Sequence, residues 1–137
     1  MNQYGLKFHH LGLATKDHAR AIKFVSAMGY RVSEAVYDPN QEVMLVWCES
    51  DAQPNIELIY PTSNIGPLDN LLKAQEAMVY HMCFSSSGIE ISVQRMKDDG
   101  LRIAQVSALK EAPLFSNKLV GFYFVKGVGL IEIVEEE

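Results

Sequence analysis

Four residues stand out by type against their surroundings: His10 in "HHLGLA", Glu57 in "NIELIY", His81 in "YHMCFS" and Glu132 in "LIEIV". Each sits in a run of aliphatic and β-branched residues that reads as a strand. A lone histidine on a strand is most simply a hydrogen-bonded structural residue. A glutamate among Ile, Leu and Val is different, because an unpaired carboxylate is costly to bury. Two imidazoles and two carboxylates form a donor set for one divalent ion, and they select poorly among Mn, Co, Ni, Fe and Zn. Six-coordination would leave two positions for water or for two substrate oxygens.

The elements that must hold these residues are written twice. "FHHLGLAT" predicts a strand, and "KDHARAIKFVSAM" a helix with Ala21, Ile22, Val25 and Met28 on one stripe, capped by Thr15 or Asp17 and ended by Gly29. Three strands follow, "YRVSEAVY", "EVMLVWCE" and "NIELIYP", with the turn "DPNQ" between the first two. The second half repeats the order. It runs through strand "VYHMCFS", helix "GIEISVQRMKDD" with Ile89, Val93 and Met96 inward, Gly100 as stop, and strands "LRIAQVS", "LVGFYFV" and "LIEIVEE". From His10 to Gly29 and from His81 to Gly100 the spacing is 19 in both cases (29 − 10 and 100 − 81). From His10 to Glu57 is 47 and from His81 to Glu132 is 51, which places four extra residues in "ALKEAPLFSNK". Self-similarity of this kind indicates duplication, and it pairs His10 with His81 and Glu57 with Glu132.

The expected fold class is therefore α+β, two tandem βαβββ modules in one domain over residues 1–137. Module one covers about 7–60, a connector with a short helix begun by Pro67 and faced by Leu68, Leu71 and Leu72 covers about 61–78, and module two about 79–135. Alternation gives each strand one bulky face for its helix and one face with a single His or Glu. It assigns His9 to the helix side with Leu11, and His10 to the open side. Trp47, Tyr80, Phe122 and Tyr123 read as core, His18 as solvated, and the final Glu135, Glu136 and Glu137 as a solvated end.

Composition narrows the partners. Net charge is −5, and the lysines and arginines are scattered rather than gathered in a stripe, so nucleic acid is not expected. No apolar run approaches bilayer length and "MNQYGLKFHH" lacks the pattern of a signal peptide, which makes a cytoplasmic location the expectation. Cys48 and Cys83 lie in apolar runs without CxxC spacing and read as reduced core thiols; Cys83, on the His81 face, reads as a wall residue rather than a nucleophile.

"HHLGLA", "IELIYP", "YHMCF" and "GLIEIVE" in this order resemble the vicinal-oxygen-chelate superfamily, which includes glyoxalase I, fosfomycin- and bleomycin-resistance proteins, extradiol dioxygenases and methylmalonyl-CoA epimerase. "GYRVSEAV", "IELIYP" followed by "IGPLDNLL", and "YHMCF" are similar to the epimerase pattern in particular. The resemblance implies a cupped, incomplete mixed β-barrel flanked by helices, with His10, Glu57, His81 and Glu132 at the ligand positions. It implies a metal-dependent isomerase or lyase that moves a proton next to a carbonyl. The substrate would be a small acyl-thioester, on CoA or a carrier protein, or an α-hydroxycarbonyl compound. Glu132 is the first choice of catalytic base and Glu57 the second.

Two departures bear on this. The epimerase pattern carries a carboxylate in the second strand where this sequence has Leu45, with Glu42 the nearest acid. The loops near "APLFSNKLVGF" and "VKGVGL" are also altered. The alternatives are a non-catalytic small-molecule-binding protein of the antibiotic-resistance type, and a ring-cleaving dioxygenase in which Glu57 would be a surplus acid. Each module leaves a sheet edge exposed, and many such folds pair as homodimers; the sequence leaves that open.

Overall fold

The structure, a computed structural model, describes residues 2–62 and 67–136. Residues 63–66 of the connector and Glu137 of the acidic end lie outside the described residues. The architecture is α+β, a repeated β-α-β-β-β module with mixed sheet. The chain divides into two compact units, residues 10–80, and residues 1–9 together with 81–137. Each boundary falls immediately before a histidine singled out above, His10 and His81.

Residues 10–80 carry most of β1 (Leu6–Thr15), then α1 (His18–Ala27), β2 (Arg31–Val32), β3 (Val36–Asp38), β4 (Val43–Glu49), β5 (Ile56–Pro61) and α2 (Pro67–Leu71). The strand order is β2-β4-β5-β1, with β3 also paired to β4. β1 runs parallel to β5, and β4 antiparallel to its neighbours. Asp17 caps α1 by accepting the Arg20 amide hydrogen at 3.1 Å, and Gly29 ends the helix turn at φ +93°. Val25 of α1 is buried against Val46, Cys48 and Leu58, with Leu13, Ala21 and Ile22 around them, so α1 covers one face of the sheet. Met28, expected on the inward stripe, is 48% exposed because it falls past the last helical residue.

The run "YRVSEAVY" is two strands rather than one. Ser33 accepts the Trp47 amide hydrogen with its hydroxyl while its own N–H donates to the Trp47 carbonyl, both at 2.9 Å. A side chain thus takes a place in the ladder, and regular pairing stops until Val36.

The other unit repeats this plan with β6 (Ala77–Ser86), α3 (Ile89–Asp98), β7 (Ile103–Gln105), β8 (Lys110–Ala112), β9 (Lys118–Val125) and β10 (Gly129–Glu135) in the order β6-β10-β9-β7, with β8 also on β9. β6 runs parallel to β10. Ile89 and Met96 of α3 are buried on Tyr123, Val125, Ile131 and Ile133, joined by Leu6. Gly100 ends the turn after α3 at φ +88°, as Gly29 does after α1. "ALKEAPLFSNK", expected as loop, contains β8 and a 3₁₀ turn over Pro113–Phe115. The acidic end is not simply solvated either: Glu135 belongs to β10 and its carboxylate accepts the Leu119 amide hydrogen at 2.7 Å, while Glu136 pairs with Lys7 at 3.5 Å. Among the described residues, no helix is long and apolar enough to cross a membrane.

Candidate functional site

In residues 10–80 the parallel β1–β5 ladder sets Gly12 beside Glu57. His10 lies two residues before Gly12, on the same face, so His10 and Glu57 are diagonal neighbours with no side chain at Gly12 to separate them. Both are buried, His10 at 0% and Glu57 at 4% exposure, and His10 Nε2 lies 3.9 Å from a Glu57 carboxylate oxygen. This face, opposite the one that α1 covers, also carries Ala14, Leu45, Trp47 and Ile59.

The unit of residues 1–9 and 81–137 builds the same pair. Cys83 is beside Glu132 in the parallel β6–β10 ladder, and His81 lies two residues before Cys83. His81 Nε2 is 3.4 Å from the Glu132 carboxylate, and both side chains are buried. One aromatic residue completes each set. Trp47 on β4 is the cross-strand partner of Glu57, and Phe122 on β9 that of Glu132. The Trp47 ring meets His10 edge to face at 5.2 Å and 85°, and Phe122 meets His81 at 5.3 Å and 86°. Sequence reasoning placed both rings in the core and missed this role. The signal was present, since each aromatic precedes its glutamate by ten residues (57 − 47 and 132 − 122).

The donor types and separations suit a divalent ion. Two ligands each ~2.1 Å from one ion sit about 3.0 to 3.4 Å apart at angles between square and tetrahedral. The observed 3.4 and 3.9 Å are close to that, and the longer exceeds an ordinary N–H···O hydrogen bond. A buried carboxylate requires a compensating cation or hydrogen bonds, and an imidazole nitrogen plus a carboxylate oxygen is a pairing that such an ion accepts. Each buried pair is therefore consistent with divalent-metal binding, without selecting which metal.

His9 departs from expectation. Leu6 packs in the core under α3, so His9, three residues on, faces away from that helix. Its ring meets Phe115 edge to face at 5.2 Å, and it lines a cavity of about 320 Å³ with Ser85, Phe115, Ser116, Lys118 and Glu135. Ser85 has the parity of His81, so the cavity opens on the face that bears the His81–Glu132 pair. Counting back from Leu13, which packs under α1, places His10 away from its own helix as well. Alternation holds along β1; the expectation fails for His9 because the helix that covers the strand changes, from α3 at Leu6 to α1 at Leu13.

The remaining singled-out residues have ordinary environments. Leu45 is 3% exposed and shares a face with Trp47, so the second-strand position is apolar and inward. Glu42 does not replace it: it is exposed, in a turn at φ +56°. His18 is exposed, with its ring stacked on Tyr60 at 4.0 Å, and Tyr123 is core. Cys48 and Cys83 are buried and form no disulfide, and burial pushes the Cys48 thiol up to about 11, the opposite of an activated nucleophile.

Known proteins place this geometry. The chain is similar over 97% of its length to 88% of methylmalonyl-CoA epimerase from Mycobacterium tuberculosis, at 19% identity and a TM-score of 0.76. A hypothetical protein from Bacillus halodurans C-125 is similar over 96% of this chain and 95% of its own, at 22% identity and TM-score 0.75. Streptomyces coelicolor methylmalonyl-CoA epimerase in complex with 2-nitronate-propionyl-CoA gives 18% identity and TM-score 0.72, covering 95% of this chain and 96% of that one. No curated protein sequence matches the chain. The family model described as "Glyoxalase/Bleomycin resistance protein/Dioxygenase superfamily" matches residues 9–114. With that match over most of its length and the fold of the epimerase structures, the chain belongs to the glyoxalase/bleomycin resistance protein/dioxygenase superfamily.

Proposed function

We propose that this protein is a divalent-metal-dependent enzyme that moves a proton next to a substrate carbonyl, with His10, Glu57, His81 and Glu132 as the ligands of one ion. The observation that carries the proposal is the duplicated burial of a His–Glu pair at the same ladder position in each unit. Duplication copies the register and the aromatic neighbour; what favours a ligand role is that both copies keep a buried carboxylate beside an imidazole, a costly arrangement without a compensating cation. A bound divalent ion would supply Lewis-acid stabilisation of negative charge developing at the carbonyl oxygen.

The protein's own groups do the rest. His10 and His81 are held on edge by Trp47 and Phe122, which fixes the imidazoles and keeps water from their flanks. A carboxylate holding a cation through one oxygen keeps the other for a proton. Glu132 takes the α-proton and returns it, with Glu57 as the second choice. Leu45 supplies no opposing acid, so a single carboxylate shuttles the proton on one side of the carbon. Solved relatives hold methylmalonyl-CoA or 2-nitronate-propionyl-CoA, which favours a small acyl-thioester as substrate over an α-hydroxycarbonyl compound.

The test is solvent exchange. Protein loaded in turn with Co, Ni, Mn, Zn and Fe is incubated in deuterium oxide with methylmalonyl-CoA or a hydroxyacyl thioester, and α-deuterium is read by mass spectrometry. Exchange that is lost in Glu132→Gln, together with metal that is lost in His81→Ala, is the expected result. No exchange on either substrate by any metallated form, or unchanged metal content in His81→Ala, would overturn the proposal.

A further inference from the structure

An open cleft of about 580 Å³ lies at the sheet edge of the unit that holds His81 and Glu132, away from the His9 cavity. Lys97 from the end of α3, Arg102 and Ala104 at β7, Phe124 on β9 and Lys126 just past it line the cleft. Every ionisable group in this lining is a cation, on a chain whose net charge is −5. Among the described residues none of the three cations is in an ion pair. The Lys126 N–H donates to the Arg102 carbonyl at 2.9 Å, which ties the ends of the two strands and sets these two side chains side by side.

Phe124 gives the cleft its second character. It is 52% exposed near the end of β9, where the residue across from it on β7 is only Ala104. An aromatic ring left open beside three cations is a platform for a flat ring attached to anionic groups. Alternation puts Phe124 on the same face as Phe122, the ring that meets His81. From Glu132 the register leads to Phe122 on β9 and then two residues along and one strand out to Ala104. That path is about 10 Å across the strands and about 7 Å along them.

We propose that this cleft binds the nucleotide handle of a coenzyme A thioester, with the adenine on Phe124 and the phosphates on Lys97, Arg102 and Lys126. The inference rests on the acyl-thioester reading above and gives it a location for the non-reacting end of the substrate. Cations of this kind meet phosphate oxygens with charge-assisted hydrogen bonds, and Arg102 can do so with two donors at once. Nucleic acid fits poorly, since three cations on an acidic chain neutralise too little backbone. A carrier protein docking an acidic surface would use the cations but would not need the exposed ring.

Calorimetric titration of the full chain separates these. Coenzyme A, adenosine 3′,5′-bisphosphate and pantetheine are the probes. Coenzyme A and the bisphosphate are expected to bind, with pantetheine weaker than coenzyme A by at least about tenfold, and the Arg102→Glu/Lys126→Glu double variant losing a similar factor for the first two. Phe124→Ser should weaken both nucleotides, and Phe124→Trp should retain them. Circular dichroism confirms that these surface variants fold. Equal affinity for coenzyme A and pantetheine, or wild-type affinity in the double variant, overturns the proposal. So does loss in the double variant with Phe124→Ser unaffected, which would leave phosphate contacts without an adenine platform. Binding is read without turnover, so its failure and the failure of α-proton exchange are separate results.

Discussion

Trp47 lies directly opposite Glu57 in the antiparallel β4–β5 ladder and turns its ring toward His10, edge to face, at 5.2 Å. Phe122 repeats both relationships with Glu132 and His81. An aromatic in this position limits the rotamers of the imidazole and excludes water from its flank. Trp47→Ala and Phe122→Ala should each weaken metal binding by about 10–100-fold, the range found when groups supporting a metal ligand are removed. Trp47→Phe should keep most of the affinity. Competition against a chromophoric chelator measures this, and unchanged affinity in both alanine variants would show that the rings are only packing.

The adjacent histidines should behave differently. His10→Ala removes a buried group 3.9 Å from Glu57 and is expected to abolish stoichiometric metal. His9→Ala changes a cavity wall and is expected to leave metal content intact while lowering turnover. The wild-type protein should also melt lower after chelation. An ion at 100 times its dissociation constant contributes about 2.7 kcal/mol. For a chain of 137 residues that corresponds to a melting shift on the order of 10 °C. Elemental analysis and calorimetry decide the matter, and equal metal loss from both histidine variants would sink the distinction.

The equivalence of His10 with His81 and of Glu57 with Glu132 was legible in the sequence because duplication converts spacing into register. Equal intervals to Gly29 and Gly100 set the registers, and the parallel ladders then put each glutamate diagonal to its histidine. Three features were hidden. Ser33 breaks its strand through a side-chain hydrogen bond to the Trp47 amide, which no periodicity records. His9 was misassigned because α1 covers β1 only at its far end, while the stretch before His10 belongs to the other compact unit and packs under α3 through Leu6. The exposure of Phe124 depends on Ala104, a residue 20 positions away (124 − 104) whose small side chain matters only once the strands are paired.

Gly29 and Gly100 occupy the same position after their helices, at φ +93° and +88°, and a Cβ at either would meet nothing within 4 Å. Alanine therefore has room at both sites, and its cost is the left-handed backbone alone. Gly29→Ala and Gly100→Ala should each destabilise by about 1–2 kcal/mol, with asparagine costing less. Urea unfolding at constant m-value is the measurement. A neutral alanine at either position would mean that the turn relaxes to a right-handed form.

With Glu132 as the proposed base and Leu45 in place of the pattern's carboxylate, exchange and inversion are expected to part company. Leu45 is buried where the epimerase pattern carries a carboxylate, and Glu132 is buried 3.4 Å from His81. A carboxylate that removes and returns a proton on one side of a carbon exchanges it with solvent more often than it inverts the centre. A positioned acid or base contributes about 10²–10⁴-fold, so without an opposing partner inversion should trail exchange by a comparable factor. The experiment uses one enantiomer of an α-substituted acyl-thioester in deuterium oxide and follows label and configuration in the same sample. Label should appear in material that has kept its configuration. Inversion as fast as exchange would require a second acid or base and would overturn the single-carboxylate reading.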